Sequence, residues 1–208
     1  MSATKANIPA AHLGLLATFM AALTWSAIAP LDSFIWLLEV FPALIGMALL
    51  IATYRRFTFT TFAYAAILIH CIILMIGGHY TYAEMPLFDW LQQQFDLSRN
   101  YYDRVGHLAQ GFFPAIVAHE ILLRLSPLGP GKWLFFIITS ICLGISAMYE
   151  LLEWWIAVAT GTAADAFLAT QGDVWDTQWD MFLALIGAIA AQLILGHMHN
   201  RMLGVTDV

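Results

Sequence analysis

The sequence predicts an all-α integral membrane protein, a bundle of about six transmembrane helices, and three observations lead to this prediction. Of the 208 residues, 61% are hydrophobic and only 11% are charged, whereas an ordinary soluble domain has about 25% charged residues. Six apolar stretches each approach the roughly 20 residues that cross a hydrocarbon core. The sequence does not show the alternating segments of about ten residues that are typical of membrane β-barrels. We therefore expect one polytopic membrane domain covering residues 1–208.

The six apolar stretches are separated by turn signals. The predicted spans cover residues 11–29, 34–53, 61–78, 104–123, 133–158 and 178–198. Pro30 and Asp32 separate the first two spans, and Arg55 and Arg56 follow the second. Residues 127–131, rich in proline and glycine, predict the turn before the fifth span.

A long segment, residues 79–103, connects the third and fourth spans. Leu87, Trp90 and Leu91 recur there at helical spacing, beside a run of glutamines. This pattern predicts an amphipathic helix lying on the outer leaflet. Such a helix could cover a polar site as a lid, or it could be a docked connection that does not move.

Basic residues predict the orientation, because cytoplasmic loops collect Lys and Arg. With the N-terminus inside, only Arg99 and Arg104 of the 8 basic residues lie outside. The inner ones are Lys5, Arg55, Arg56, Arg124, Lys132 and Arg201. We therefore expect both termini in the cytoplasm.

The acidic residues show the opposite distribution. On this topology all of the 14 acids except Glu120 and Asp207 lie in outer loops or in the outer halves of helices. Acidic residues contribute little to topology. Their concentration at one side therefore needs an explanation of its own.

Helical spacing brings several of these acids together with histidines. Asp103 and His107 stand at positions i and i+4, which share a helix face. The remaining members are Glu150 and Glu153, three apart; Asp173, Asp176 and Asp180, three and four apart; and His79 at the outer end of the third span. An ionised acid at the bilayer centre costs about 2.5–3.5 kcal/mol, and like charges one turn apart repel. A wet cavity, a shared proton or a cation would make this set tolerable.

A divalent metal ion (Zn, Mn or Mg) would best compensate the negative charges of these acids and use the histidines as ligands. The predicted metal ligands are His79, Asp103, His107, Glu150, Asp173 and Asp176. Glu153 and Asp180 are the predicted catalytic residues, acting as general base or as supporting groups. Histidine with carboxylates suits Zn²⁺, Mn²⁺ or Fe, and carboxylates alone suit Mg²⁺ or Ca²⁺. Glu39 is a further candidate member.

A purely structural explanation stands beside the metal site. Asp103, Asp176 and Asp180 lie near predicted helix starts, where carboxylates stabilise the helix N-terminus. Arg99 and Arg104 could neutralise these acids as ordinary salt bridges at the rim. His70, in the middle of a span, could be a hydrogen-bonding packing residue.

Three segments resemble the YjdF-like family of bacterial inner-membrane proteins, a family with a domain of unknown function. They are residues 100–107 (Asn-Tyr-Tyr-Asp-Arg-Val-Gly-His), residues 149–154 (Tyr-Glu-Leu-Leu-Glu-Trp) and residues 171–181. The chain is also weakly similar to VanZ-like membrane proteins, which place an acid and a histidine four apart at a helix start. The resemblance implies a multi-pass protein of the inner membrane and supplies no established reaction.

The sequence leaves three functions open. The first is a metal-dependent enzyme at the periplasmic face that acts on a lipid or lipid-linked envelope substrate. The second is a small proton- or cation-coupled carrier, and the third is a non-catalytic partner of another envelope protein. The lipid bilayer is a required partner. A nucleic-acid partner is not expected, because the net charge is −6 and phosphate binding needs clustered basic residues.

Overall fold

The computed structural model describes residues 8–161 and 168–205, and within these ranges the chain is helical without strands. Lys5 and Asp207 lie outside the described residues. The helices, in chain order, are α1 (Ala10–Ala27), α2 (Ser33–Thr53), α3 (Thr61–Tyr80), α4 (Pro86–Phe95), α5 (Tyr102–Leu125), α6 (Lys132–Thr160) and α7 (Asp176–Leu203). A short 3₁₀ turn, Tyr82–Glu84, precedes α4.

Six of these helices are long and apolar enough to cross a membrane, namely α1, α2, α3, α5, α6 and α7. Each of the six predicted spans coincides with one of these helices, with ends that differ by a few residues. Large apolar side chains such as Leu49, Val158 and Leu193 are mostly exposed on the outside of the bundle. An apolar exterior of this kind is expected where lipid, and not water, is the solvent.

Local sequence signals set the helix ends. The Asp32 carboxylate accepts hydrogen bonds from the backbone N–H groups of Phe34 and Ile35, so it caps the start of α2. Thr60 caps α3 in the same way through the N–H of Ala63. The connections alternate between two ends of the bundle. We call the end with residues 28–32, 81–101 and 168–175 the acidic end, and the end with residues 54–60 and 126–131 the basic end.

The closest helix pair is α5 with α7. A Cβ atom on Gly111 would collide with the Ala184 carbonyl oxygen, and one on Gly187 would collide with the Leu108 carbonyl oxygen. Small residues allow membrane helices to approach this closely. The contact fixes the first turns of α5 and α7 side by side at the acidic end.

Helix α3 lies centrally and packs against α1, α2 and α5. An apolar core that includes Ala66, Ile116, Ile138 and Ala188 fills the bundle between its middle and the basic end. Helices α2 and α6 approach each other only sparsely within the described residues. Between them lies the cavity described below.

Helix α4 confirms a helix at the predicted amphipathic segment, and its position on the outer leaflet stays a prediction. The ring of Phe88 packs against Tyr102, and the Asp89 carboxylate accepts a hydrogen bond from the Asn100 side chain. On its other face, Leu87 and Trp90 are more than half exposed. The helix is therefore docked on the acidic end with apolar side chains turned outward.

Candidate functional site

The centre of the site is formed by one histidine and two aspartates. His107 Nε2 lies 3.4 Å from Asp103 Oδ1 on its own helix and 3.8 Å from Asp180 Oδ1 on α7. One ligand atom from each of the three residues lies within 4.8 Å of the others. All three side chains are buried. We call them the Asp–His–Asp group; their spacing is compatible with a single metal ion.

Arg99 lies beside this group and is 95% buried, with a side-chain exposure of 5%. Its Nη1 is paired with Asp176, and its Nη2 lies 3.4 Å from Asp103 Oδ2. The same guanidinium donates to the backbone carbonyls of Ala169 (2.9 Å) and Thr170 (3.3 Å). Arg99 therefore joins the start of α5 to the connection that precedes α7.

Arg104 contacts three aspartates near the start of α7. It is paired with Asp180, and its Nη2 lies 2.6 Å from Asp176 Oδ1 and 3.1 Å from Asp173 Oδ2. Its side chain is 11% exposed. Both arginines thus form the expected salt bridges, but the bridges are buried and shared among four aspartates instead of lying at the rim.

Two glutamates of α6 extend the site. Glu150 Oε1 lies 3.6 Å from His107 Nδ1. This oxygen is buried and accepts no hydrogen bond from any residue in the described ranges. Glu153, one turn further along α6, is also buried and lines an adjoining cavity.

The cavity has a volume of about 120 Å³ and lies between α2, α3, α5 and α6. Its polar side chains include Glu39, His70, His107, Tyr149 and Glu153, and its apolar wall includes Pro42, Leu74, Pro114 and Ile145. The Tyr149 hydroxyl donates to Glu39 Oε2 at 3.5 Å, which connects α6 to α2. The cavity therefore has titratable side chains on one part of its surface and apolar side chains on the rest, within the membrane-spanning part of the bundle.

Tyr82 closes one side of the cavity. Its ring occupies the space that a Cβ atom on Gly77 or Gly106 would need. Burial, reinforced by the negative charge of Glu39, raises the pKa of the Tyr82 hydroxyl well above its ordinary value. The side chain thus stays a neutral hydroxyl.

His70 lies at the deep side of the cavity. Its ring stacks on Phe113, with 5.9 Å between the ring centroids. Its Nε2 is buried and has no hydrogen-bond partner in the described part of the chain. The sequence suggested that His70 could form a hydrogen bond within the bundle. Its Nε2 does not form one with any described residue.

The charges of the site do not balance. Seven carboxylates lie in or beside it, namely Glu39, Asp103, Glu150, Glu153, Asp173, Asp176 and Asp180, and they face two arginines and two histidines, His107 and His70. If all seven ionise, at least three negative charges are left over. The sequence of residues 162–167 contains no Lys, Arg or His. Because uncompensated buried charge is strongly unfavourable, this end of the bundle needs protons or a cation.

Two connections are locked together above the site. The Asn100 N–H donates to Gln171 Oε1, and Gln171 Nε2 donates to the Asn100 carbonyl, each at 2.9 Å. Ala169 and Gln171 both have a φ of +48°, in the left-handed region. That conformation costs roughly 1–2 kcal/mol for residues with a Cβ. The bonds from Arg99 and Asn100 hold the connection in this conformation.

The structure brings together most of the predicted site residues. Asp103, His107, Glu150, Asp173, Asp176 and Asp180 form one cluster, with Glu153 in the adjoining cavity. His79 lies apart, because it faces α1. Its Nδ1 is 3.1 Å from the Ser26 carbonyl oxygen, and its ring packs against that of Trp25 with 4.6 Å between the ring centroids.

Sequence reasoning missed Tyr82 and Tyr149, which line the cavity. Tyr149 stands directly before Glu150 in a helix otherwise rich in aliphatic residues. Its place next to Glu150 was the only feature of the sequence that indicated Tyr149 as a site residue. Tyr82 follows the end of α3 and enters the cavity only because the chain turns back there. No spacing in the sequence indicates that turn.

Sequence reasoning also missed a second polar cluster, at the basic end. Glu120 is fully buried and accepts hydrogen bonds from the Thr60 N–H (2.9 Å), the Thr60 hydroxyl (2.8 Å) and Arg124 (2.6 Å). His199 Nε2 lies 3.2 Å from its second oxygen. This cluster, the Glu120 cluster, ties α5 to the start of α3 and the end of α7.

Comparisons with known proteins agree with this architecture. A family model described as "Predicted membrane protein (DUF2238)" matches residues 11–201. The chain is 49% identical over 181 residues to the "Inner membrane protein YjdF" of Escherichia coli (strain K12), and the alignment covers 87% of each protein. No solved structure matches the chain. Both names describe a membrane protein, and neither states a reaction.

Proposed function

We propose that this chain, which belongs to the DUF2238 family of predicted membrane proteins, is an enzyme that holds a divalent metal ion and acts on a lipid or lipid-linked substrate. Its place in the inner membrane follows from its relative and its six apolar helices. One observation carries the proposal. The Asp–His–Asp group lies within a surplus of buried carboxylates that borders a cavity with apolar walls.

The metal ligands of this proposal are Asp103, His107 and Asp180. Glu150 Oε1 lies 3.6 Å from His107 Nδ1, the ring nitrogen that faces away from the two aspartates, so Glu150 would orient the histidine without binding the ion. Because histidine accompanies carboxylates, Mn²⁺ or Zn²⁺ fits the donor set better than Mg²⁺. A bound divalent cation would also remove part of the excess negative charge.

Asp173 and Asp176 have a different role in the proposal. Neither belongs to the Asp–His–Asp group, and Arg99 and Arg104 engage both of them, so they hold the two arginines and the connection before α7 in place. Such groups orient the ligands of a metal site without binding the ion. Glu153, buried beside the cavity, is the candidate general base that accepts a proton from an attacking water molecule.

The cavity supports a lipid substrate. Pro42, Leu74 and Ile145 line it at membrane depth, and α2 and α6, on either side, pack only sparsely on each other in the described residues. A lipid could enter sideways from the bilayer between these two helices, with its chain against the apolar wall and its head group at the metal. The distribution of basic residues supports an entrance in the periplasmic half of the membrane.

The test uses the purified full-length protein in detergent. Metal content is measured after dialysis against Mn²⁺ or Zn²⁺, and lipid turnover is measured by mass spectrometry on a total polar lipid extract from bacterial membranes. We expect about one ion per chain and loss of both metal and turnover in His107→Gln. His197→Gln, an exposed histidine at the basic end, is the matched control and should retain both.

A second pair of variants separates the metal from the lipid entrance. Ile145→Trp fills the cavity and should abolish turnover while the metal remains. Met148→Trp places the same side chain on the exposed face of α6 and should change neither. Wild-type protein that binds no metal, or His107→Gln protein that keeps it, refutes the proposal.

The second candidate is a proton or cation carrier, favoured by the line of titratable side chains Glu39, His70 and Glu153 along the cavity. Against it, the apolar core around Ile116 and Ile138 lies between this cavity and the Glu120 cluster. Flux into proteoliposomes that disappears in Glu150→Gln, without any lipid turnover, would favour the carrier over the enzyme.

A further inference from the structure

A second cavity, unrelated to the acidic end, lies at the opposite end of the bundle. It has a volume of about 360 Å³ and runs as a groove between α1 and α2, with α3 as its floor. Its sides are aliphatic and aromatic, and include Leu13, Leu16, Phe19, Met47 and Leu50. We call this feature the α1–α2 groove.

The length of the groove matches one leaflet of a bilayer. On α1 it extends from Ile8, just before the helix begins, to Phe19. The helical part of this stretch, Ala10 to Phe19, spans nine steps of 1.5 Å, or about 14 Å. The hydrocarbon core of a bilayer is about 30 Å thick, so one leaflet contributes about 15 Å.

The mouth of the groove is polar and basic. His12 Nδ1 lies 2.7 Å from the Tyr54 hydroxyl, and His12 Nε2 lies 3.0 Å from the Thr61 hydroxyl. Arg55 is the one charged residue among the described residues that line the groove. Its neighbour Arg56 is exposed beside it. An anionic group at this mouth would meet positive charge and hydroxyl groups together.

The shape of the groove suits a single acyl chain. An extended hydrocarbon chain is thin, and the aliphatic and aromatic sides of the groove offer it apolar contacts along its length. The combination of a narrow apolar groove, the depth of one leaflet and a basic mouth therefore fits one class of ligand.

We propose that the α1–α2 groove binds one anionic phospholipid, with an acyl chain along Leu16 and Phe19 and its phosphate against Arg55. The lipid belongs to the leaflet at the basic end, opposite the leaflet that supplies the proposed substrate. It fills the space between α1 and α2, both of which pack on α3. This site is a structural lipid site and is separate from the proposed metal centre.

The test is native mass spectrometry of the full-length protein after incubation with phosphatidylglycerol or with phosphatidylcholine of the same acyl composition. We expect the wild-type protein to retain one phosphatidylglycerol molecule. Arg55→Gln should lower the phosphatidylglycerol-bound fraction about fivefold, since one arginine near an anionic head group contributes about that factor. Arg201→Gln, an exposed arginine at the same end that does not line the groove, is the matched control.

Two variants block the groove itself. Leu16→Trp fills it from α1 and Leu50→Trp fills it from α2, so each should abolish lipid retention while metal content stays as in the wild type. Equal retention of the two lipids, or equal losses in Arg55→Gln and Arg201→Gln, overturns the proposal. A dimer that only the groove-filling variants dissociate would also overturn it, because a second copy would then be the occupant.

Discussion

The two buried polar clusters, at opposite ends of the same bundle, differ in how their charges are compensated. At the basic end, a single carboxylate, Glu120, receives hydrogen bonds from Thr60 and Arg124 and lies next to His199. At the acidic end, seven carboxylates share two arginines and two histidines in and around a cavity. The first cluster is saturated, and the second is not.

This difference determines which cluster has room for an added positive charge. A buried acid whose acceptor positions are all used joins the helices around it and leaves no position for an ion. A cluster with a surplus of negative charge and a buried oxygen that accepts no hydrogen bond from the described residues, such as Glu150 Oε1, can still accept a cation. Burial alone does not distinguish the two ends, since Glu120 and Asp180 are both almost fully buried.

The largest expected effect is the loss of an arginine from the acidic end. Arg104→Met leaves Asp173, Asp176 and Asp180 with less compensation, so the free energy of unfolding should fall by about 3–5 kcal/mol, as for other broken buried ion pairs. Chemical unfolding in detergent micelles measures the change. Arg201→Met, on an exposed position, should stay within about 0.5 kcal/mol of the wild type, and equal effects of the two substitutions would contradict the assigned charge balance.

A smaller loss is expected at the basic end. Glu120→Leu removes the acceptor for the Thr60 N–H and hydroxyl and leaves the partly exposed Arg124 to water. The free energy of unfolding should fall by about 1–3 kcal/mol, the penalty for unsatisfied buried donors. Metal binding at the other end should not change. A loss of bound metal in this variant would show that the two clusters are coupled.

The smallest effect, and the one with a change of sign, is expected for Glu150→Gln. In metal-free protein the substitution removes one surplus negative charge and should stabilise the fold by about 0.5 kcal/mol, similar to the relief of a like-charge pair. With saturating Mn²⁺ the wild type gains stability from binding, and the variant should gain less. If both forms respond equally to Mn²⁺, Glu150 does not support the metal site.

Several features of the fold could be predicted from the sequence. Lipid cannot satisfy backbone polar groups, so each span must be a helix of about 20 apolar residues, and composition reveals such segments directly. The amphipathic α4 was predictable from Leu87, Trp90 and Leu91 for a similar reason. Spacing also placed Asp103 with His107, and Glu150 with Glu153, on shared helix faces.

The sequence by itself therefore determined the helices and which polar groups share a face of each one. Only the tertiary structure decided which faces meet, because those contacts depend on side-chain packing between segments distant in the chain. Gly111 and Gly187 bring α5 and α7 together and so place His107 next to Asp180. The sequence assigned His79 to the site because it lies at a helix end. The orientation of α3 instead turns His79 toward Trp25 on α1, away from the site.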